Sequence, residues 1–275
     1  MDIILKISQE LMCRQEQVAA AVKLIDEGCT IPFIARYRKE ATGSLNDEQL
    51  RTLDERLTYL RGLEDRKEKV IASIEEQGML TDELKKSILA AETLVAVEDL
   101  YRPYKPKRKT RATIAQSKGL TGLANIISLQ MTNKPISEEA LAYVSEEKEV
   151  HSAEEAIAGA MDIIAESISD NAEYRTEIRS LTMDKGILMT TAKDPEAESV
   201  YEMYYDFSTP VRKMTGYRTL AINRGEKEKF LSVKIEAPVD EITGYLIRQV
   251  IVRDNPNTND ILRNTITDSY ERLIA

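Results

Sequence analysis

The chain has 275 residues, 42% of them hydrophobic and 31% charged, with a formal net charge of -9. That length and apolar content suffice for one large or two modest folded domains and exclude an intrinsically disordered chain. No apolar run approaches the roughly 18 residues of a membrane span, MDIILKISQEL lacks the features of a signal peptide, and the acidic balance excludes a surface that attracts nucleic acid everywhere.

Helical signals dominate up to about residue 180. Residues 2–12 carry Ile3, Ile4, Ile7 and Leu11 at helical spacing, and residues 15–27 repeat the pattern with Val18, Ala21, Val22 and Ile25 before Gly28. Thr30 and Pro32 fit a new helix start around IPFIARYR, because proline in a first turn gives up an N–H that has no partner anyway. Two short helices about a glycine turn make a helix-turn-helix candidate, with a plain helical hairpin as the alternative. Ser44 followed by Asp47 and Glu48 reads as a capping box. Behind it a long helix runs to about Gln77, its apolar stripe formed by Leu50, Leu53, Leu57, Leu60, Leu63, Val70 and Ile74. Glu64, Arg66 and Lys67 are read as covering its other face, which makes the helix a strut within a helical domain.

Thr81 opens a short helix to about Ala91, and from Glu98 to Arg111 the prolines at 103 and 106 predict non-helical chain. Helices resume near 112–118, 121–131 and 137–144. Ser152 with Glu155 caps a strong one to about Ser169, and another spans 172–185. The last third is mixed. Ile187–Thr191 and Phe230–Ala237 read as strands of a small sheet, Glu196–Tyr205 as helical, and helices return from about 239 and 258. The chain stops within an amphipathic pattern, TDSYERLIA, which is expected of a piece of a longer protein.

The fold class expected is therefore mainly α: multi-helical, with a helix-turn-helix-like N-terminal part and a small β-sheet in the last third. Three regions are expected, at 1–100, 101–185 and 186–275. Cys13 and Cys29, read as lying in helix-like segments, are too few for a disulfide framework and point to a reducing cytoplasm. With His151 the sole histidine, a zinc site lacks a ligand set, and neither metal nor cofactor is expected.

The most unusual stretch is YRPYKPKRKTRATIAQSK (101–118), with seven basic residues and no acidic ones in an otherwise acidic chain. Lys105, Lys107, Arg108, Lys109 and Arg111 lie close together on a proline-restrained segment, which suits contact with several phosphates. Tyr101 and Tyr104 could stack on unpaired bases or anchor the segment to the core. A solvated loop, or one paired with acidic faces of the same protein, is the competing reading. Arg36, Arg38 and Lys39 form a second cluster, fit either for phosphates or for internal ion pairs with acids such as Glu40. Phosphate-binding loop, dinucleotide fingerprint and nucleophile elbow are all missing from the sequence, so an enzyme is not expected.

IPFIARYRKEATGSLNDEQLRTLDERLTYL (31–60) and EDLYRPYKPKRKTRATIAQSKGL (98–120) closely resemble the bacterial Tex family of transcription accessory proteins. YDFSTPVRKMTGYRTLAINRGEKE (205–228) matches a third block more loosely. The resemblance implies the N-terminal portion of an elongated multidomain protein related to a eukaryotic transcription elongation factor. In that family an RNase H-like domain, helix-hairpin-helix elements and a C-terminal S1 domain follow, and the S1 domain is regarded as the principal nucleic-acid binder. It implies a scaffold whose own association with RNA or DNA is weak. The partners implied are nucleic acid, the transcription machinery and downstream domains of the same protein, with no membrane. The alternative is an interdomain or protein docking scaffold without direct nucleic-acid contact. The resemblance carries no catalytic residues onto these positions.

Overall fold

A computed structural model describes residues 2–107 and 109–275, which hold fourteen α-helices and one three-stranded antiparallel sheet. The chain divides into two compact units, Met1–Tyr104 and Lys105–Ala275.

In the first unit, α1 (Ile3–Glu10), α2 (Gln15–Asp26) and α3 (Ile31–Tyr37) pack against α4 (Asp47–Glu76), and α5 (Asp82–Ala90) and α6 (Leu94–Tyr101) complete the core. The predicted leucine stripe of α4 is buried throughout, each side chain contributing roughly 1.5–3 kcal/mol by leaving water. Gly28, at φ +84°, makes the turn out of α2 that a side chain would strain.

The cap of α4 is Asn46, not Ser44: Asn46 and Gln49 exchange the reciprocal bonds of a capping box, while Ser44 sits at φ +66° in the preceding turn. Two turn residues thus delay the helix start, and the acids at 47 and 48 fall in its first turn. Lys67 does not cover the solvent face. It is 0% exposed, because the steps from Leu63 to Lys67 and on to Val70 keep it on the apolar stripe. Helix persists through Tyr101 and a 3-10 turn follows at Arg102–Tyr104, with Arg102 still in the right-handed helical region at φ -52° and ψ -43°, since the N–H that Pro103 lacks is lost only at the end of the helix. Cys13 and Cys29 lie just beyond the ends of α1 and α2, both as free thiols.

Arg56 of α4 grips Glu10 of α1 through two bonds of 2.6 and 2.9 Å. That bond holds the Glu10 carboxyl below its usual range, against the upward push of burial. The unfolded chain therefore binds this proton more readily. The clamp contributes its stability above about pH 4.5 and loses it as pH falls through the lower folded value. Glu10→Gln should lower stability at neutral pH by about 0.5–1 kcal/mol, the pair being one-third exposed. The gap from wild type should close on acidification, and urea titrations at the two pH values measure it.

In the second unit α10 (Ala153–Asp170) is the central helix. Packed around it are α7 (Arg111–Ser117), α8 (Thr121–Leu129), α9 (Ile136–Leu141), α11 (Ala172–Lys185) and α14 (Asn259–Ser269) with its terminal π-helical turn. The predicted cap is present, Ser152 Oγ accepting from the Glu155 amide. Gly159 lets α10 meet the α7–α8 corner closely, since a Cβ there would stand 2.4 Å from a Leu120 methyl.

The sheet has the order β2–β1–β3, with β1 Ile187–Ala192, β2 Asp206–Pro210 and β3 Leu231–Glu236; Thr190 faces Phe207 on one side and Val233 on the other. A helix not signalled by periodicity, α12 (Gly216–Lys227), covers the sheet through Ile222, and α13 (Val239–Val250) precedes α14. Residues 196–205 are not α-helical, contrary to expectation. Tyr201 and Tyr204 turn into the sheet's core, and Thr190 Oγ1 donates to the Tyr204 carbonyl at 2.6 Å, so the chain is held as turns and a short 3-10 segment.

Candidate nucleic-acid interface

Four of the five basic residues near 105–111 are described; Arg108 lies outside the described residues. Lys107 points its ammonium at two carboxylates of α10, Asp170 and Glu166, the latter at 3.3 Å. Its side chain is three-quarters covered, so this charge is engaged within the chain. Lys105 is exposed and also has a partner. Lys109 is exposed and makes no ion pair among the described residues.

Arg111 opens α7 beside an acidic network in which Arg272 bonds Asp268 and Asp162 at 2.6 and 2.9 Å. Burial pushes the Asp162 carboxyl up, opposed by Arg272 and Arg111; the Arg272 bond holds Asp268 down. The basic segment is therefore partly neutralised by its own unit.

Tyr101 is 8% exposed, its hydroxyl 3.0 Å from Ser73 Oγ and its ring under the Arg66 guanidinium. No open face remains there for a base. Tyr104 packs against the first unit's core, and its carbonyl accepts from Gln77 Nε2. Both tyrosines anchor the chain.

The cluster after α2 differs. Arg36, Arg38 and Lys39 are all exposed, and none makes an ion pair among the described residues, the one with Glu40 included. The two arginines have aromatic neighbours. The Arg38 guanidinium lies 5.3 Å from the Phe33 centroid and that of Arg36 6.0 Å from the Tyr37 centroid. Phe33 and Tyr37, one helical turn apart, have centroids 5.4 Å apart and remain 38% and 60% exposed. Reading by charge alone overlooks these two rings. The signal available was the interleaving in PFIARYR, where helical spacing places both rings on one face among arginines.

Within the described residues no group of three His, Cys, Asp or Glu side chains gathers as a metal site would need, and no helix is long and apolar enough to cross a membrane.

Comparison with known proteins bears on what these surfaces serve. The model of the Tex-like protein N-terminal domain matches residues 1–75, and that of the Tex central region matches residues 131–267. The chain is 47% identical over 272 residues to the uncharacterized protein YdcI of Bacillus subtilis, covering 98% of this chain and 38% of that one. It is 43% identical over 261 residues to the transcriptional accessory protein Tex of Neisseria gonorrhoeae, covering 92% and 34%. Likeness extends to the S1 RNA-binding domain-containing protein 1 of Pongo abelii, at 28% over 291 residues, covering 99% and 29%. The chain thus spans between 29% and 38% of the length of these relatives. Matched in order by two domain models and by these relatives, the chain belongs to the Tex-like family, whose N-terminal domain and central region it carries.

Proposed function

We propose that this chain is a non-enzymatic scaffold of a cytoplasmic transcription accessory protein, and that it contributes directly to nucleic-acid association through the corner formed by α3 and the turn after it. The observation carrying this reading is the exposure of Arg36, Arg38 and Lys39 without an acidic partner among the described residues, in a chain of net charge -9. Cations left unpaired amid so much negative charge favour an external polyanion. The printed names of two relatives, a transcriptional accessory protein and an S1 RNA-binding domain-containing protein, agree with such a partner.

Fluorescence anisotropy of labelled RNA and DNA against the chain, across a salt series, tests the reading. Arg36→Gln/Arg38→Gln/Lys39→Gln should weaken binding on the order of tenfold or more near 50 mM salt and flatten the salt dependence by roughly two units of slope. Lys107→Met serves as the comparison and should bind as wild type, because Asp170 and Glu166 already occupy its charge. Wild-type affinity in the triple variant overturns the proposal.

A second reading, docking without nucleic-acid contact, is favoured specifically by that Lys107 pairing, in which the basic segment serves its own unit. It predicts that ultraviolet cross-linking of the intact protein on nucleic acid leaves α3 unlabelled.

A further inference from the structure

Resting on the reading that α3 meets nucleic acid, we infer that this corner takes single-stranded chains, with unpaired bases stacking on Phe33 and Tyr37. The exposed surface of α3 presents Pro32, Phe33, Arg36 and Tyr37. Two rings in mutual contact at 5.4 Å and inclined by 48°, with 38% and 60% of their residues' surface in water, form a platform that the Arg38 and Arg36 guanidiniums cover only in part. Covering such rings with a base contributes about 1–3 kcal/mol per base, and only an unpaired base has a free face to offer.

Two features favour a single strand over a duplex as the ligand. With seven residues, α3 is only about 10 Å long, short for a helix lying along a major groove. Both exposed guanidiniums also lie near a ring, at 5.3 and 6.0 Å from its centroid, which sets positive charge beside the stacking platform, where the phosphates of a strand laid across the rings would run. An acidic peptide would satisfy the cations but brings no flat π surface for the rings.

The test uses the full 275-residue chain. Labelled oligo-dT and oligo-rU of about 15 nucleotides, a hairpin duplex with a stem of about 15 base pairs, and poly-glutamate as competitor are compared near 50 mM salt. The expected result is that both single strands bind at least about tenfold tighter than the duplex, with poly-glutamate a poor competitor. Phe33→Leu/Tyr37→Leu, which keeps apolar bulk at two exposed positions, should lower single-strand affinity by about tenfold or more and leave duplex binding and the salt slope unchanged. Circular dichroism of the variant verifies its helix content. The inference is overturned if the duplex binds as tightly as the single strands, if the leucine variant retains single-strand affinity, or if poly-glutamate displaces the strands at equal charge. In any of these cases a loss of binding in the Arg36/Arg38/Lys39 variant still upholds the broader nucleic-acid reading. Absence of binding to every nucleic acid removes both.

Discussion

Lys67→Ala should destabilise the first unit by about 3 kcal/mol, an unusual cost for removing a charge from a helix. The side chain is fully buried, and its ammonium donates to Glu64 Oε1 and to the Leu89 carbonyl, each at 2.9 Å. Leu89 stands in the last turn of α5, where backbone carbonyls have no partner within their own helix. Lys67 therefore caps α5 from inside the core while Glu64, at the core's edge, balances its charge. Alanine leaves a cavity and an unsatisfied carbonyl, and takes from Glu64 one of its partners.

Lys67→Met separates these contributions. It preserves the apolar length of the side chain and discards only the ammonium, and Glu64 retains access to water at 24% exposure. Its expected cost is about 1 kcal/mol, close to one lost hydrogen bond. Hydrogen exchange of the α5 amides reads the unit locally, and denaturant titration of the full chain reads it globally. Equal losses for the two variants would show that charge rather than volume dominates.

The second large effect is expected at Gln130, just past α8, in a left-handed conformation (φ +54°) and 4% exposed. Its side chain closes a link across about 120 residues of sequence: Nε2 donates to the Val250 carbonyl at 2.8 Å, and Oε1 accepts from the Arg253 amide at 3.0 Å. Asn255 answers by donating Nδ2 to the carbonyls of Gln130 and Thr132. The loop before α14 is thus held to the end of α8 by amide side chains. Gln130→Ala should cost about 2–4 kcal/mol through buried groups left unpaired. Gln130→Gly should be similarly damaging less about 1 kcal/mol, since glycine relieves the left-handed backbone. Exchange rates of the amides at 251–258 would report the loosening, and unchanged protection there would refute this role.

The contrast between these two residues and the leucines of α4 explains which parts of the fold were legible. A stripe such as Leu50 to Ile74 repeats along most of a 30-residue helix, and its periodicity alone identifies the buried face. Lys67 belongs geometrically to that stripe, yet its chemistry reads as surface; only the carbonyl of α5 makes its burial tolerable. The short strand β2 and the helix α12 escaped detection for the opposite reason. α12 buries little beyond Ile222 and Gly225 and leaves Tyr217 and Leu220 exposed, so its apolar residues trace no stripe. The tyrosines at 201 and 204 mimic a helical cluster but are drawn into the sheet by β1 and β3.

The same division runs through the candidate interface. Sequence by itself determined the helical class, the long α4, the capped α10, the first and third β-segments and the two basic clusters, because periodicity, caps and charge are properties of neighbouring residues. Which cluster remains open to a partner was decided only by tertiary structure. Lys107 is met by acids 59 and 63 positions away, which no local pattern reveals, whereas Arg36 and Arg38 meet rings of their own helix, and neither they nor Lys39 meets an acid among the described residues. Charge is written in the sequence; its neutralisation depends on which distant side chains the fold brings within a few ångströms.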